Sequence, residues 1–250
     1  MDTKKVALIS TMTAMYVVLS YLPGFPVIGA SGARIGIISG IAPLYGFILG
    51  PTIGMSVTLL GAFINRVLTG ASLFEWLTLP SMPISAFIAG ALSRDRVNGL
   101  SGWKISAAIL TILIATWYVT YVGRAVPLFA VLHWAGLINI LLLRSKLARL
   151  FHSGLKRNLA LSILLCSYTA TVTSHMYGCL AFILAAELLI ISTSDLPSLF
   201  TMLIPIATFE RLTFTAISTT IGVPLVSTLK NILPKTAEGD KTPSRPSKSN

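Results

Sequence analysis

An all-α polytopic membrane bundle of about eight transmembrane helices is the fold class this sequence predicts, and three observations predict it. Hydrophobic residues fill 54% of the 250 positions and charged residues only 11%, with a mean hydropathy of +0.81; soluble domains carry charge on about a quarter of their residues. Apolar runs follow one another, most of them near the length that crosses about 30 Å of hydrocarbon at about 1.5 Å per residue. The basic residues sit in groups between those runs and not on an amphipathic surface, so the net charge of +11 argues for membrane orientation and against nucleic acid. The two cysteines, Cys166 and Cys179, each lie inside an apolar run and read as small packing residues, without disulfide or zinc-ligand spacing.

The first run, Val6 to Leu22, follows a charged start and reads as a retained first helix. Ala7, Ser10, Thr11 and Ala14 recur at three- and four-residue intervals, which gives that helix one face of small side chains for close approach by another helix. Residues 23–33 hold two prolines and three glycines and are expected to form a loop. Ile35 to Leu49 and Thr52 to Leu68 form a helical hairpin turning at Gly50-Pro51, with Gly36, Gly40, Gly46, Gly54 and Gly61 allowing tight packing. A fourth span runs from about Leu79 to Leu92. Ile105 to Val122 and Val126 to Leu143 make a second hairpin around Gly123-Arg124. Leu159 to Ile191 and Leu199 to Leu229 complete the apolar material, and the polar tail 234–250 is expected to be disordered, leaving 1–233 as the bundle.

Topology follows from the positive charges. Lys4 and Lys5, then Arg94, Arg96 and Lys104, then the cluster from Arg144 to Arg157, and finally the basic residues from Lys230 onward hold 15 of the 19 Lys and Arg. Placing all four groups in the cytoplasm obeys the positive-inside rule and puts both termini there. Leu159 to Ile191 must then cross once, although about 33 residues span nearly 50 Å. A tilt or a break around Ser174 to Gly178 would accommodate it, giving eight crossings; a complete hairpin there would give nine.

Ionisable groups inside a bilayer normally face a cavity, a partner or the interface. In this topology Arg34, Arg66, Glu75, Trp76, Glu210 and Arg211 gather toward the outer half, with His175 near the middle of the seventh run. One polar pocket open to the outside is the functional reading. Snorkelling arginines and a self-neutralising Glu210-Arg211 pair form the structural alternative. Glu187 and His133 read as interhelical hydrogen-bonding residues. No HExxH, P-loop or G-x-S-x-G motif is present, and Ser72 lacks the glycine context of a nucleophile elbow, so neither an enzyme nor a cofactor or metal is expected.

The basic N-terminus, the loop, Arg34-Ile-Gly, Ala42-Pro-Leu-Tyr-Gly-Phe-Ile-Leu-Gly-Pro51 and Leu203-Ile-Pro-Ile-Ala-Thr-Phe-Glu210 together resemble the substrate-binding S components of energy-coupling factor (ECF) importers. The resemblance implies a six-helix core that captures a vitamin or similar micronutrient in the cell membrane. It further implies delivery by docking to a transmembrane coupling subunit and two ATPase subunits. In that family a small-residue face on the first helix contacts the coupling subunit, which would be the task of Ala7, Ser10, Thr11 and Ala14; the loop 23–34 would be a lid. Arg34 and Arg66 would meet anionic or carbonyl groups of the ligand, Trp76 would stack on it, and Glu210 would orient Arg211. Residues 103–143 exceed the six-helix pattern and read as an inserted hairpin. A membrane scaffold or assembly protein that retains the fold without transport is therefore the alternative function.

Overall fold

The computed structural model describes residues 3–28, 34–188 and 193–232. Eight helices of twelve residues or more fall on the eight expected runs: α1 (Thr3–Leu19), α2 (Ile38–Leu49), α3 (Pro51–Thr69), α5 (Ser81–Leu92), α6 (Gly102–Val119), α8 (Val131–Leu143), α10 (Lys156–Leu188) and α11 (Leu196–Ile232). Three short helices sit in the connections: α4 (Leu73–Leu77), α7 (Tyr121–Ala125) and α9 (Lys146–His152). Two small antiparallel hairpins add β1 (Gly24–Pro26) with β2 (Arg34–Gly36), and β3 (Arg96–Val97) with β4 (Leu100–Ser101). The turns alternate between two ends, one carrying β1–β2 and α4, the other carrying Gly50, β3–β4 and α9.

Length separates these helices into two kinds. Among the described residues α3, α6, α10 and the 196–229 part of α11 are long and apolar enough to cross a membrane, and the bent pair α8–α9 raises the number to five. The expectation of eight crossings is therefore met only in part. At 12 residues, α2 and α5 rise about 18 Å, well short of the hydrocarbon thickness. They are also wrapped by other helices, with ten of twelve residues buried in α2 and nine of twelve in α5. A helix enclosed by protein need not match the bilayer.

The core is built on close contact between α2 and α5. A Cβ placed on Gly46 would run into the carbonyl of Ala86 and come within 2.7 Å of the Gly90 nitrogen, and one on Gly90 would lie 2.6 Å from the Pro51 nitrogen. Around that crossing, α3 and α1 pack on one side, α11 on another, and α10 runs along α5 and α11. The α6–α8 hairpin is fastened to α10 by polar contacts: Asn139 Nδ2 donates to Leu165 O (3.0 Å) and Thr169 Oγ1 (2.8 Å), and Tyr168 Oη donates to Leu132 O (2.9 Å).

Three expectations need correcting. The run 156–188 is one unbroken helix, without a break at Ser174 to Gly178 and without the hairpin that would have made nine crossings. Its hydroxyls bond back along the same helix, Thr173 to Thr169 O (2.7 Å) and Ser174 to Thr171 O (3.0 Å), so the polar stretch is satisfied inside a helix. The second helix starts at Ile38, because Arg34 to Gly36 pair as a strand with residues 24–26 of the expected loop. Glu187 is exposed on the last turn of α10 and does not bridge helices. The expected disordered tail lies outside the described residues.

The Gly50-Pro51 turn is as anticipated in place and has a reason in backbone geometry. Gly50 has φ 88°, Pro51 opens α3 in the position where a missing N–H costs nothing, and the Arg94 side chain lies where a Cβ on Gly50 would be. Partial burial over this turn pushes the Arg94 guanidinium below its ordinary pKa.

Candidate functional site

Three helices each give one face to a common space. Positions 62, 65, 66 and 69 of α3, positions 174, 175, 178, 179 and 182 of α10, and positions 203, 206, 207, 210 and 211 of α11 all follow helical spacing and line one cavity of about 470 Å³. The β1–β2 hairpin, α4 and the ends of α1, α2 and α5 supply the remaining walls. Of the residues singled out from sequence, Arg34, Arg66, Glu75, His175, Glu210 and Arg211 are all brought to this cavity.

Trp76 is not. Its ring meets Phe63 of α3 edge-on at 5.6 Å, and it is absent from the residues that line the cavity. The one-turn helix α4 is the cause: with Glu75 turned to the cavity, the next residue points about 100° away around the helix.

Glu75 is at the wall but already has work. Ser72 Oγ accepts from Glu75 N (3.3 Å), while Glu75 Oε2 accepts from Ser72 N (2.7 Å) and from Ser72 Oγ (2.8 Å), a reciprocal cap on α4. The Ser72-Leu-Phe-Glu75 spacing is the sequence signature of that cap. Arg66 is likewise half engaged: Nε donates to Glu75 O (2.6 Å) and Nη1 to Ala62 O (3.2 Å), which ties the α3 end to α4 and leaves Nη2 for other partners. Arg34 is exposed on β2.

On α11, Arg211 Nη2 donates to Glu210 Oε2 at 3.3 Å, and its guanidinium lies 4.8 Å from the Phe214 ring centre. Both members of this pair are buried, at 6% and 3% exposure. On α10, His175 Nδ1 is 3.2 Å from His133 Nε2 with the rings stacked, and its Nε2 is 3.5 Å from Cys179 Sγ. His133 belongs to α8 of the α6–α8 hairpin, so its expected interhelical hydrogen bond is present and reaches a cavity residue. Phe129, at the start of the same hairpin's second arm, lines the cavity directly.

Several wall residues were not singled out from sequence. Asn65 stands beside Arg66, Cys179 one turn after His175, and Ser39 and Ser81 in the first turns of α2 and α5. Adjacency and helical spacing could have found Asn65 and Cys179; the two serines carry no signal in the chain. Ser39 Oγ, Ser81 Oγ and Arg211 Nε are buried and have no hydrogen-bond partner among the described residues. Buried polar atoms without partners cost about 1–3 kcal/mol each, so a wall carrying three of them suits a polar occupant.

The β1–β2 hairpin packs on α11 through an aromatic contact. Phe25 of β1 meets Phe214 edge-on at 5.7 Å. Such pairs contribute about 1 kcal/mol, so Phe25→Ala is expected to speed modification of Cys179 by a methanethiosulfonate about fivefold in a Cys166→Ala background. An unchanged rate would mean that the hairpin does not limit access.

Ala7, Ser10, Thr11 and Ala14 all face outward on α1, which packs against α3 through its other side, where Tyr16 is buried. Among the described residues no group of three or more His, Cys, Asp or Glu is arranged to hold a metal ion.

No protein-family model and no solved structure matches the chain. The chain is 29% identical over 174 residues to the uncharacterized protein MJ0923 of Methanocaldococcus jannaschii. That similarity covers 68% of this chain but 55% of the archaeal protein, so the chain spans about half the length of its relative.

Proposed function

We propose that this chain is the solute-binding subunit of an ECF-type importer, taking up a vitamin-sized molecule with anionic or carbonyl groups. The observation that carries the reading is the cavity of about 470 Å³, whose wall holds three buried polar atoms without partners among the described residues and whose one side is the β1–β2 hairpin, which would be the lid. Its volume falls in the range of small-molecule sites. Three arginines, 34, 66 and 211, face two carboxylates already engaged by a cap and an ion pair, which favours a ligand that accepts hydrogen bonds. In this reading the lid end faces outside, the basic end faces the cytoplasm, and the exposed small-residue face of α1 meets the coupling subunit.

The alternative is a membrane scaffold that retains the fold, and the α6–α8 hairpin beyond the six-helix pattern is what favours it. Co-purification distinguishes the two. An importer subunit brings ATPase subunits with the tagged chain and carries a small molecule identifiable by mass spectrometry; a chain that brings neither is not one. With that molecule in hand, Arg34→Ala is expected to weaken its binding about tenfold in calorimetry without lowering the melting temperature, since the side chain is exposed and a charge-assisted hydrogen bond contributes about 1.5–3 kcal/mol. Unchanged affinity would remove Arg34 from the site.

A further inference from the structure

At the end opposite the β1–β2 hairpin, a second recess is lined by Trp103, residues 141–146 and Arg149. The helix made by residues 127–143 and α9 meet there at 78°, so the chain leaves the bundle's long axis and runs across its end. The short helix is two-sided: Leu147, Ala148 and Phe151 are buried, while Lys146 and Arg149 are exposed. A tryptophan, an amphipathic turn and exposed cations at the end of a membrane bundle are the features of a bilayer interface.

The charges in this recess, and Lys104 beside it, lack acidic counterparts. The Lys104 ammonium is 5.7 Å and the Arg144 guanidinium 5.6 Å from the centre of the same Trp103 ring. Among the described residues the single ion pair is Glu210–Arg211, so no carboxylate pairs with Lys104, Arg144, Lys146 or Arg149. Arg144 also holds a backbone conformation that side-chain-bearing residues rarely adopt, φ 46° and ψ −130°, with its Nε donating to Leu141 O at 3.0 Å. A strained backbone that carries an arginine at the corner of a cationic notch points to a function for its position.

We propose that this notch binds the phosphate-bearing headgroup of an anionic phospholipid. Trp103 would sit at headgroup level, Arg144, Lys146 and Arg149 would contact the phosphate oxygens, and the exposed Leu141 and Leu142 would lie along the acyl chains. The site is independent of the solute cavity and of what that cavity carries.

Native mass spectrometry of the full chain, delipidated in detergent, tests this. Titration with phosphatidylglycerol is expected to show binding at least fivefold tighter than phosphatidylcholine with the same acyl chains. Arg144→Gln and Arg149→Gln should each reduce the preference about fivefold, while Arg96→Gln, an exposed arginine outside the recess, should leave it unchanged. Arg144→Gly relieves the backbone and should melt no lower than the wild type, yet still lose the preference. Equal binding of the two lipids, or an equal loss in Arg96→Gln, overturns the site in favour of diffuse attraction. Displacement of phosphatidylglycerol by millimolar inorganic phosphate overturns the lipid as the source of the phosphate.

Discussion

Glu210→Gln is expected to destabilise the bundle by about 3–5 kcal/mol, because it leaves the Arg211 guanidinium buried without its counter-charge. For a chain of this size that is a fall on the order of 10 °C in melting temperature. The double variant Glu210→Gln/Arg211→Gln should recover most of the loss, since the penalty belongs to an unpaired charge and not to the missing contact. Thermal melting of the wild type, the single variant and the double variant in one detergent is the measurement. A single variant that melts like the wild type would mean that cavity water already solvates Arg211. In that case the pair would not be structural, and both residues would be free to bind a solute. The experiment thus separates the two readings that sequence left open for these residues.

Gly46→Ala is expected to be nearly as damaging. The added methyl group meets backbone on the opposite helix, the Ala86 carbonyl and the Gly90 nitrogen, and not a side chain that can rotate away. Overpacking typically costs about 1–3 kcal/mol, and more where the neighbour cannot move; here α2 and α5 would have to separate along the most enclosed crossing of the bundle. Gly178→Ala is the control, because a Cβ there meets only Ser81 Oγ at 3.8 Å. It should be neutral or slightly stabilising through helix propensity. Equal melting of the two variants would show that the α2–α5 crossing tolerates expansion.

Much of the architecture was legible in the chain because membrane insertion leaves coarse, additive signals. Apolar runs, their Gly-Pro interruptions and the basic groups located all eight helices of twelve or more residues to within a few residues. Arg34, Arg66, His175 and the Glu210-Arg211 pair were legible for a related reason: a charged or titratable group in an apolar run is conspicuous. Ser39 and Ser81 were not, since hydroxyl residues are common in membrane helices and only their lack of a partner, a property of the assembled bundle, sets them apart. Trp76 misled because sequence proximity to Glu75 says nothing about which side of a one-turn helix each occupies.

The glycines mark the boundary between the two kinds of information. Their density in the opening hairpin by itself determined that α2 and α3 would be approached closely, since a residue without Cβ invites another backbone. Only the tertiary structure decided the partners: Gly40 faces Phe214 of α11, Gly46 faces Ala86 and Gly90 of α5, and Gly61 faces Tyr16 of α1. The choice of partner depends on complementary surfaces far apart in the chain, and those exist only once all the helices are packed together.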